Sequence, residues 1–222
     1  MLKEYEELFS LDKTIAKDLL LSVRYPWDIF ESLDSFILSL GELLPSEEYE
    51  KRGKGIWVSR DVKIAPSVEI FGPAIIDKGA EIRHGAFIRG SVIIGKGSCL
   101  GNSCEIKSSI MLDGACAPHF NYVGNSILGA FAHLGAGAIT SNLKSDKSSI
   151  TVKSFQNIDT GLRKIGAFIG DGAEIGCGTV LNPGTVIGKN SVVYPLSSVR
   201  GLVPSYHVYK GEGNIVKREK RD

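Results

Sequence analysis

Hydrophobic positions in the middle of the chain recur every six residues. From Ile64 the register runs through Ile70, Ile76, Ile82, Ile88, Ile94, Leu100, Ile106 and Leu112, all aliphatic, before it meets Pro118. Four residues after each comes a second series of mostly smaller side chains: Val68, Ala74, Ala80, Ala86, Val92, Ser98, Cys104, Ile110 and Cys116. Turn-formers such as Asp77-Lys78-Gly79 and Gly95-Lys96-Gly97 separate them. The pattern loses phase near Pro118, resumes at Leu128 and Leu134, and resumes again over Ile169, Ile175, Leu181, Ile187, Val193 and Val199. Helices repeat at 3.6 residues and strands at 2, so a period of six fits a short strand plus a corner. The pattern predicts a mainly β chain, a parallel β-helix of hexapeptides. Three hexapeptides close one triangular coil, and each aliphatic side chain stacks on the one 18 positions later.

Glycine changes this picture least and supports it most. Of 26 glycines, 21 fall between Gly72 and Gly201, where corners need permissive backbone. The coils are expected over 56–201. Residues 141–164 break the register and are expected to leave the prism as an extended loop, a usual place for binding elements. Exposed strand edges at the two ends need caps, for which residues 1–55 and 202–222 are the candidates. In the front segment, Ile29, Leu33, Phe36, Ile37 and Leu40 fall at helix spacing, Pro26 suits the first turn and Gly41 the exit. The segment is expected to pack as a helical cap on the prism or on a partner chain, and the basic end KREKRD to be a solvated tail.

Charge and cysteine usage exclude more than they suggest. A formal net charge of +1 supplies no field to gather nucleic acid or an anionic membrane. Cys99, Cys104, Cys116 and Cys177 form no Cys-x-x-Cys pair and read as reduced thiols in a cytoplasmic protein. The N-terminus lacks an apolar signal core, and no stretch approaches a membrane span.

Chemistry must come from particular residues, because one scaffold hosts many activities. Of four histidines, His84 and His207 read as ordinary surface residues. His119 lies in APHFNYVGN, where the register breaks, and a polar residue at a deformation of a regular coil is a functional candidate.

The stretch GNSCEIKSSIMLDGACAPHFNYVGNSILGAFAHLGAGAITSN resembles the acetyltransferase half of the bifunctional N-acetylglucosamine-1-phosphate uridyltransferases/glucosamine-1-phosphate N-acetyltransferases. The matching motifs are Glu105-Ile106-Lys107, His119-Phe120-Asn121-Tyr122-Val123-Gly124, Leu134-Gly135-Ala136-Gly137, Asn142 and Lys147, within residues 62–200. Hexapeptide β-helices of that kind are left-handed, whereas parallel crossovers are normally right-handed. The resemblance implies a CoA-dependent N-acetyltransferase that moves an acetyl group from acetyl-CoA to an amino-sugar 1-phosphate on the way to UDP-N-acetyl sugars. His119 would be the general base. Arg83, Lys107 and Tyr122 would hold the sugar phosphate, with His133 and Asn142 at the sugar and Lys147 reaching in from a neighbouring subunit's loop. The Ala136 N–H would face the thioester oxygen, and CoA would run past Cys177 and Pro195. A homotrimer is expected, since the implied pocket draws on adjacent prisms; no metal is expected in the transfer.

His133 stands where that family has asparagine, Leu143 where an aromatic follows, and Cys177 where serine is usual. The loop ending TGLRKIGAFIGD is similar to archaeal nucleotidyltransferases fused to amino-sugar acetyltransferases, so galactosamine-1-phosphate is also a candidate acceptor. Tyr25-Pro26-Trp27-Asp28-Ile29-Phe30 resembles the linker helix that closes the nucleotidyltransferase domain of such enzymes. With no Gly-rich phosphate loop before it, no nucleotidyl transfer is expected. The alternative function is a sugar-phosphate-binding or oligomerisation module without turnover. A hexapeptide carbonic anhydrase would need a third histidine at short spacing, which the sequence does not offer.

Overall fold

In the computed structural model, which describes residues 7–153 and 157–219, the predicted coils form a three-faced parallel β-helix. Face I stacks Ile56–Ser59, Ala74–Ile76, Val92–Ile94, Ser109–Met111, Ile127–Leu128, Ala167–Ile169, Thr185–Ile187 and Leu202–Val203. Face II begins at Lys63–Ile64 and passes through Glu81–Ile82, Cys99–Asn102, Cys116–His119 and His133–Leu134 to Glu174–Ile175, Val192–Val193 and His207–Gly211. Face III runs from Glu69–Phe71 through Phe87–Arg89, Glu105–Lys107 and Tyr122–Gly124 to Ile139–Thr140, Val180–Leu181 and Ser198–Val199. Down the axis of face I, Ile76, Ile94, Met111, Leu128, Ile169 and Ile187 are wholly buried, each contributing roughly 1.5–3 kcal/mol of transfer free energy.

The phase slip starts one corner earlier than the sequence suggests. Val92 pairs with Ser109 and Ile94 with Met111, whereas the preceding face III still pairs Ile88 with Ile106. The corner after Arg89 takes two residues with positive φ, Gly90 at 87° and Ser91 at 55°; the corner after Lys107 takes only Ser108, at 44°. That one-residue saving moves the inward register from Leu112 and Pro118 to Met111 and Ala117, and the small slots from Ile110 and Cys116 to Ser109 and Ala115.

The displaced Ile110 and Leu112 are not wasted. With Ile75, Ile93, Ile127 and Phe168 they form a second buried cluster on the outer side of face I, covered by the front segment. A short helix Lys17–Ser22, a 3-10 turn Pro26–Asp28 and the helix Ile29–Leu43 supply Leu20, Trp27, Ile29, Leu33 and Ile37. The front segment is therefore a strap along one side of the prism rather than an end cap. Its beginning is lashed down by Asp171, whose carboxylate accepts from the Ser10 N–H and hydroxyl at 2.7 Å each and pairs with Lys189 at 3.0 Å. Gly41 does not end the helix, which continues to Leu43. It is glycine because a Cβ there would run into the indole of Trp57. At each end one face gains an antiparallel strand: Tyr49–Lys51 pairs with Ile56–Ser59 on face I, and Asn214–Lys217 with His207–Gly211 on face II.

The loop 141–164 is less extended than expected. It contains an antiparallel pair, Thr151–Lys153 with Asn157–Asp159, and buries Ile150 and Val152, with Ile165 just after it, in the cluster beneath the strap. Among the described residues, no helix is long and apolar enough to cross a membrane.

Candidate functional site

Face III carries a cluster of polar and cationic groups. Tyr122 opens its strand and lies one coil below Glu105. The strand's last residue is Gly124, where a Cβ would sit 2.6 Å from the Tyr122 hydroxyl and 2.9 Å from Asn142 Nδ2; glycine lets these two side-chain ends close over the backbone without shifting. Asn142 Nδ2 donates to Asn125 Oδ1 at 2.7 Å, and the Asn142 carbonyl accepts from the Ile165 N–H at 3.1 Å. The exit and return of the loop are thus tied at this cluster. Lys107 ends the strand above. Burial, with Lys164 and Arg89 nearby, holds its ammonium below the ordinary lysine range, and Glu105 opposes that shift. Burial and the Glu105 carboxylate push the Tyr122 phenol above its usual value, against Arg89 and the hydrogen bond from Asn142.

His119 lies at the edge between faces II and III, and its ring is exposed. Three other predicted residues fall in the same column. The Gly137 N–H donates to the His119 carbonyl at 3.0 Å, Gly178 to Ala136 at 2.8 Å and Leu196 to Cys177 at 2.8 Å, so His119, Ala136, Cys177 and Pro195 occupy equivalent corner positions in successive coils. Each corner turns through a left-handed residue, Phe120, Gly137, Gly178 or Leu196. Among the described residues the exposed Ala136 N–H has no acceptor. Asn121, 2% exposed, braces this edge. Its Oδ1 accepts from the His119 N–H at 3.0 Å, and its Nδ2 donates to the carbonyls of Gly135 at 2.8 Å and Ala138 at 3.1 Å.

Two predicted phosphate or sugar ligands lie elsewhere. Arg83 is on face II, paired with Glu81 at 3.1 Å and close to Cys99 and Cys116, not beside Lys107 and Tyr122. The cation in that place is Arg89, 18 residues before Lys107, held by Glu105 at 2.6 Å. One full coil separates them, a spacing visible in the sequence. His133 is also on face II, its Nδ1 3.0 Å from Glu174 Oε2, a coil away from Cys116 rather than near Asn142. Lys147 stands on the loop, where its carbonyl accepts from Arg163 Nε at 3.0 Å, and it lines a groove facing the strap.

The chain is similar to known proteins. A family model described as the GMPPB C-terminal domain matches residues 70–155. The GlmU bifunctional protein of Methanococcus vannielii is 31% identical over 212 residues, which cover 87% of this chain and 47% of that protein. A bifunctional sugar-1-phosphate nucleotidylyltransferase/acetyltransferase of Sulfurisphaera tokodaii is 32% identical over 126 residues, 48% of this chain and 31% of that one. The chain resembles the acetyltransferase half of the bifunctional GlmU proteins. It spans about a third to a half of the length of these curated relatives. Among solved structures, AntD, an N-acyltransferase from Bacillus cereus in complex with dTDP and 3-hydroxybutyryl-CoA, aligns over 81% of this chain and 88% of that one. Its identity is 17% and its TM-score 0.35, too low to carry an argument about chemistry.

Proposed function

We propose that the protein is a CoA-dependent N-acetyltransferase acting on an amino-sugar 1-phosphate. The observation that supports it most is the adjacency of two features: the Arg89, Lys107, Tyr122 and Asn142 cluster on face III, and the corner column His119, Ala136, Cys177, Pro195 beside it. Two cations brought together by a fold around a half-buried tyrosine favour an anionic ligand, since charge-assisted bonds to phosphate relieve their mutual repulsion.

In this reading the phosphate lies against Lys107 and Arg89 and the sugar against Asn142. His119 accepts a proton from the sugar ammonium or amine, whose nitrogen attacks the thioester carbonyl of acetyl-CoA. The C–N bond forms, the carbonyl oxygen gathers charge before the Ala136 N–H, and the C–S bond breaks as the CoA thiolate leaves and is protonated. Asn121 is a positioning residue that keeps the His119 corner and the Ala136 turn in register. CoA lies along Cys177 and Pro195. The exposed position of His119 on one prism fits a homotrimer, in which a second prism encloses the edge.

Release of CoA thiol from acetyl-CoA in the presence of glucosamine-1-phosphate or galactosamine-1-phosphate tests the proposal. His119→Ala should lower kcat by roughly 10²- to 10⁴-fold, and light scattering should report three subunits. Equal slow release by both proteins with every amino-sugar phosphate would remove it. The His133–Glu174 pair favours a second reading, because it ties up a side chain where the resembling family has asparagine: a module that binds the sugar phosphate without turnover. Binding by calorimetry with no thiol release would identify that case.

A further inference from the structure

The loop 141–164 and the start of the helix Ile29–Leu43 enclose a groove of about 830 Å³ that the acetyl-transfer chemistry leaves unused. The loop wall presents Lys147, Arg163 and Lys164 with Leu143; the strap wall presents Phe30 and Glu31. A hexosamine 1-phosphate carries one phosphate and is satisfied at Lys107 and Arg89. Three more cations and a space of this size suit a ligand as large as a nucleotide.

The groove adjoins the face III cluster in two places. Leu143 follows Asn142 directly, and Lys164 lies close enough to Lys107 to act on its charge. The hydrogen bond from the Ile165 N–H to the Asn142 carbonyl lies between these two lining residues. Among the described residues Arg163 engages the loop through its Nε, at the Lys147 carbonyl, and its terminal nitrogens can meet an incoming anion. Opposite, Glu31 can accept from ribose hydroxyls or base N–H groups, and Phe30 and Leu143 offer apolar surface to a base. The asymmetry of the two walls, cationic on one and acidic with an aromatic ring on the other, matches a ligand with phosphate at one end and a nucleoside at the other.

We propose that the acceptor is a nucleoside-diphosphate-linked amino sugar, with its sugar-bearing phosphate at Lys107 and Arg89, its second phosphate at Lys164 and Arg163, and its nucleoside in the groove under the loop. This rests on the acetyl-transfer reading and extends its acceptor by one nucleotide. The groove is formed within a single chain, so the nucleoside end needs no second subunit.

The test compares thiol release with UDP-, dTDP- and GDP-linked amino sugars against the two hexosamine 1-phosphates. It adds UDP, dTDP and GDP alone as inhibitors and as calorimetric ligands. One nucleotide sugar should show a KM at least about tenfold below that of the 1-phosphates, and its nucleoside diphosphate should compete with the acceptor. Leu162→Glu, which adds a negative charge at an exposed groove position, should erase that advantage while leaving the 1-phosphate kinetics and the melting temperature as they were. Equal KM values, non-competitive inhibition, or an advantage that survives Leu162→Glu would overturn the proposal and leave the acetyl-transfer reading standing. If no acceptor is turned over, the acetyl-transfer reading falls, and binding of the nucleoside diphosphates alone still decides whether the groove is a nucleotide site.

Discussion

Arg89 and Lys107 end adjacent strands of face III, and Glu105, 2.6 Å from the guanidinium, also acts on the Lys107 charge. One carboxylate against two cations leaves a local positive excess, which Lys164 increases. Arg89→Ala and Lys107→Ala are each expected to raise KM for the phosphorylated acceptor about 10- to 100-fold with a small effect on kcat, the loss of one charge-assisted bond of about 1.5–3 kcal/mol. Arg83→Ala, on face II, should change KM far less. Steady-state kinetics of the three variants check the assignment; a larger effect at Arg83 would refute it.

The Lys107 ammonium is held below the ordinary lysine range by burial and by Lys164 and Arg89. A lowered lysine pKa means that charge is lost at a lower pH than in a free side chain. Acceptor KM is therefore expected to rise on the alkaline side before an ordinary lysine would titrate. Lys164→Gln removes one repelling charge and should move that limb to higher pH. A KM profile that stays flat until arginine titrates would show that Lys107 is not the group involved.

Gly41 packs against Trp57 in the last turn of the strap helix. Gly41→Ala would gain helix propensity of about 1 kcal/mol in isolation. Here the added methyl meets a buried ring rather than a flexible chain end, so a net loss of about 1–3 kcal/mol is expected from overpacking. Leu43→Ala, at a side chain 80% exposed, should leave stability unchanged. Chemical denaturation of the pair distinguishes packing from propensity.

Asp171 joins Ser10, the Ala130 N–H and Lys189 in one half-buried cluster. Asp171→Ala strands these donors and should cost about 2–4 kcal/mol, with the strap opening before the coils. Limited proteolysis should then cut within the first 25 residues while the prism resists; simultaneous loss of both would mean that strap and prism unfold as one unit.

Cysteine labelling should separate edge from interior. Burial pushes the Cys99 thiol up to about 11 and also raises Cys104 and Cys116, so these stay protonated and shielded at pH 8. Cys177 is exposed and should take up the first equivalent of iodoacetamide alone. Acetyl-CoA should slow that reaction if the donor lies along the corner column, and mass spectrometry of the labelled peptide reads both outcomes.

The coils were legible because a hexapeptide stack is a local code: every buried residue has its partner about one coil away, so periodicity alone reports burial. The column His119, Ala136, Cys177, Pro195 was reachable for the same reason, its members recurring at whole coils with the loop removed. Local context does not distinguish Arg83 from Arg89, since each follows an isoleucine just before a corner; only the 18-residue distance from Arg89 to Lys107 reports the shared face. The slip at Ser108 was hidden because Leu112 is as hydrophobic as Met111. Both are buried, one inside the prism and one beneath the strap.

The order of hydrophobic and small residues by itself determined that this chain winds into a three-sided parallel coil, since no other regular backbone repeats every six residues. Only the tertiary structure decided which corner loses a residue, where the strap lies and which cations share a face. Those outcomes depend on contacts between segments far apart in sequence: Trp57 against Gly41, Asp171 against Ser10, and a loop whose two ends meet at Asn142. Side chains of equal hydrophobicity do not encode which surface will cover them.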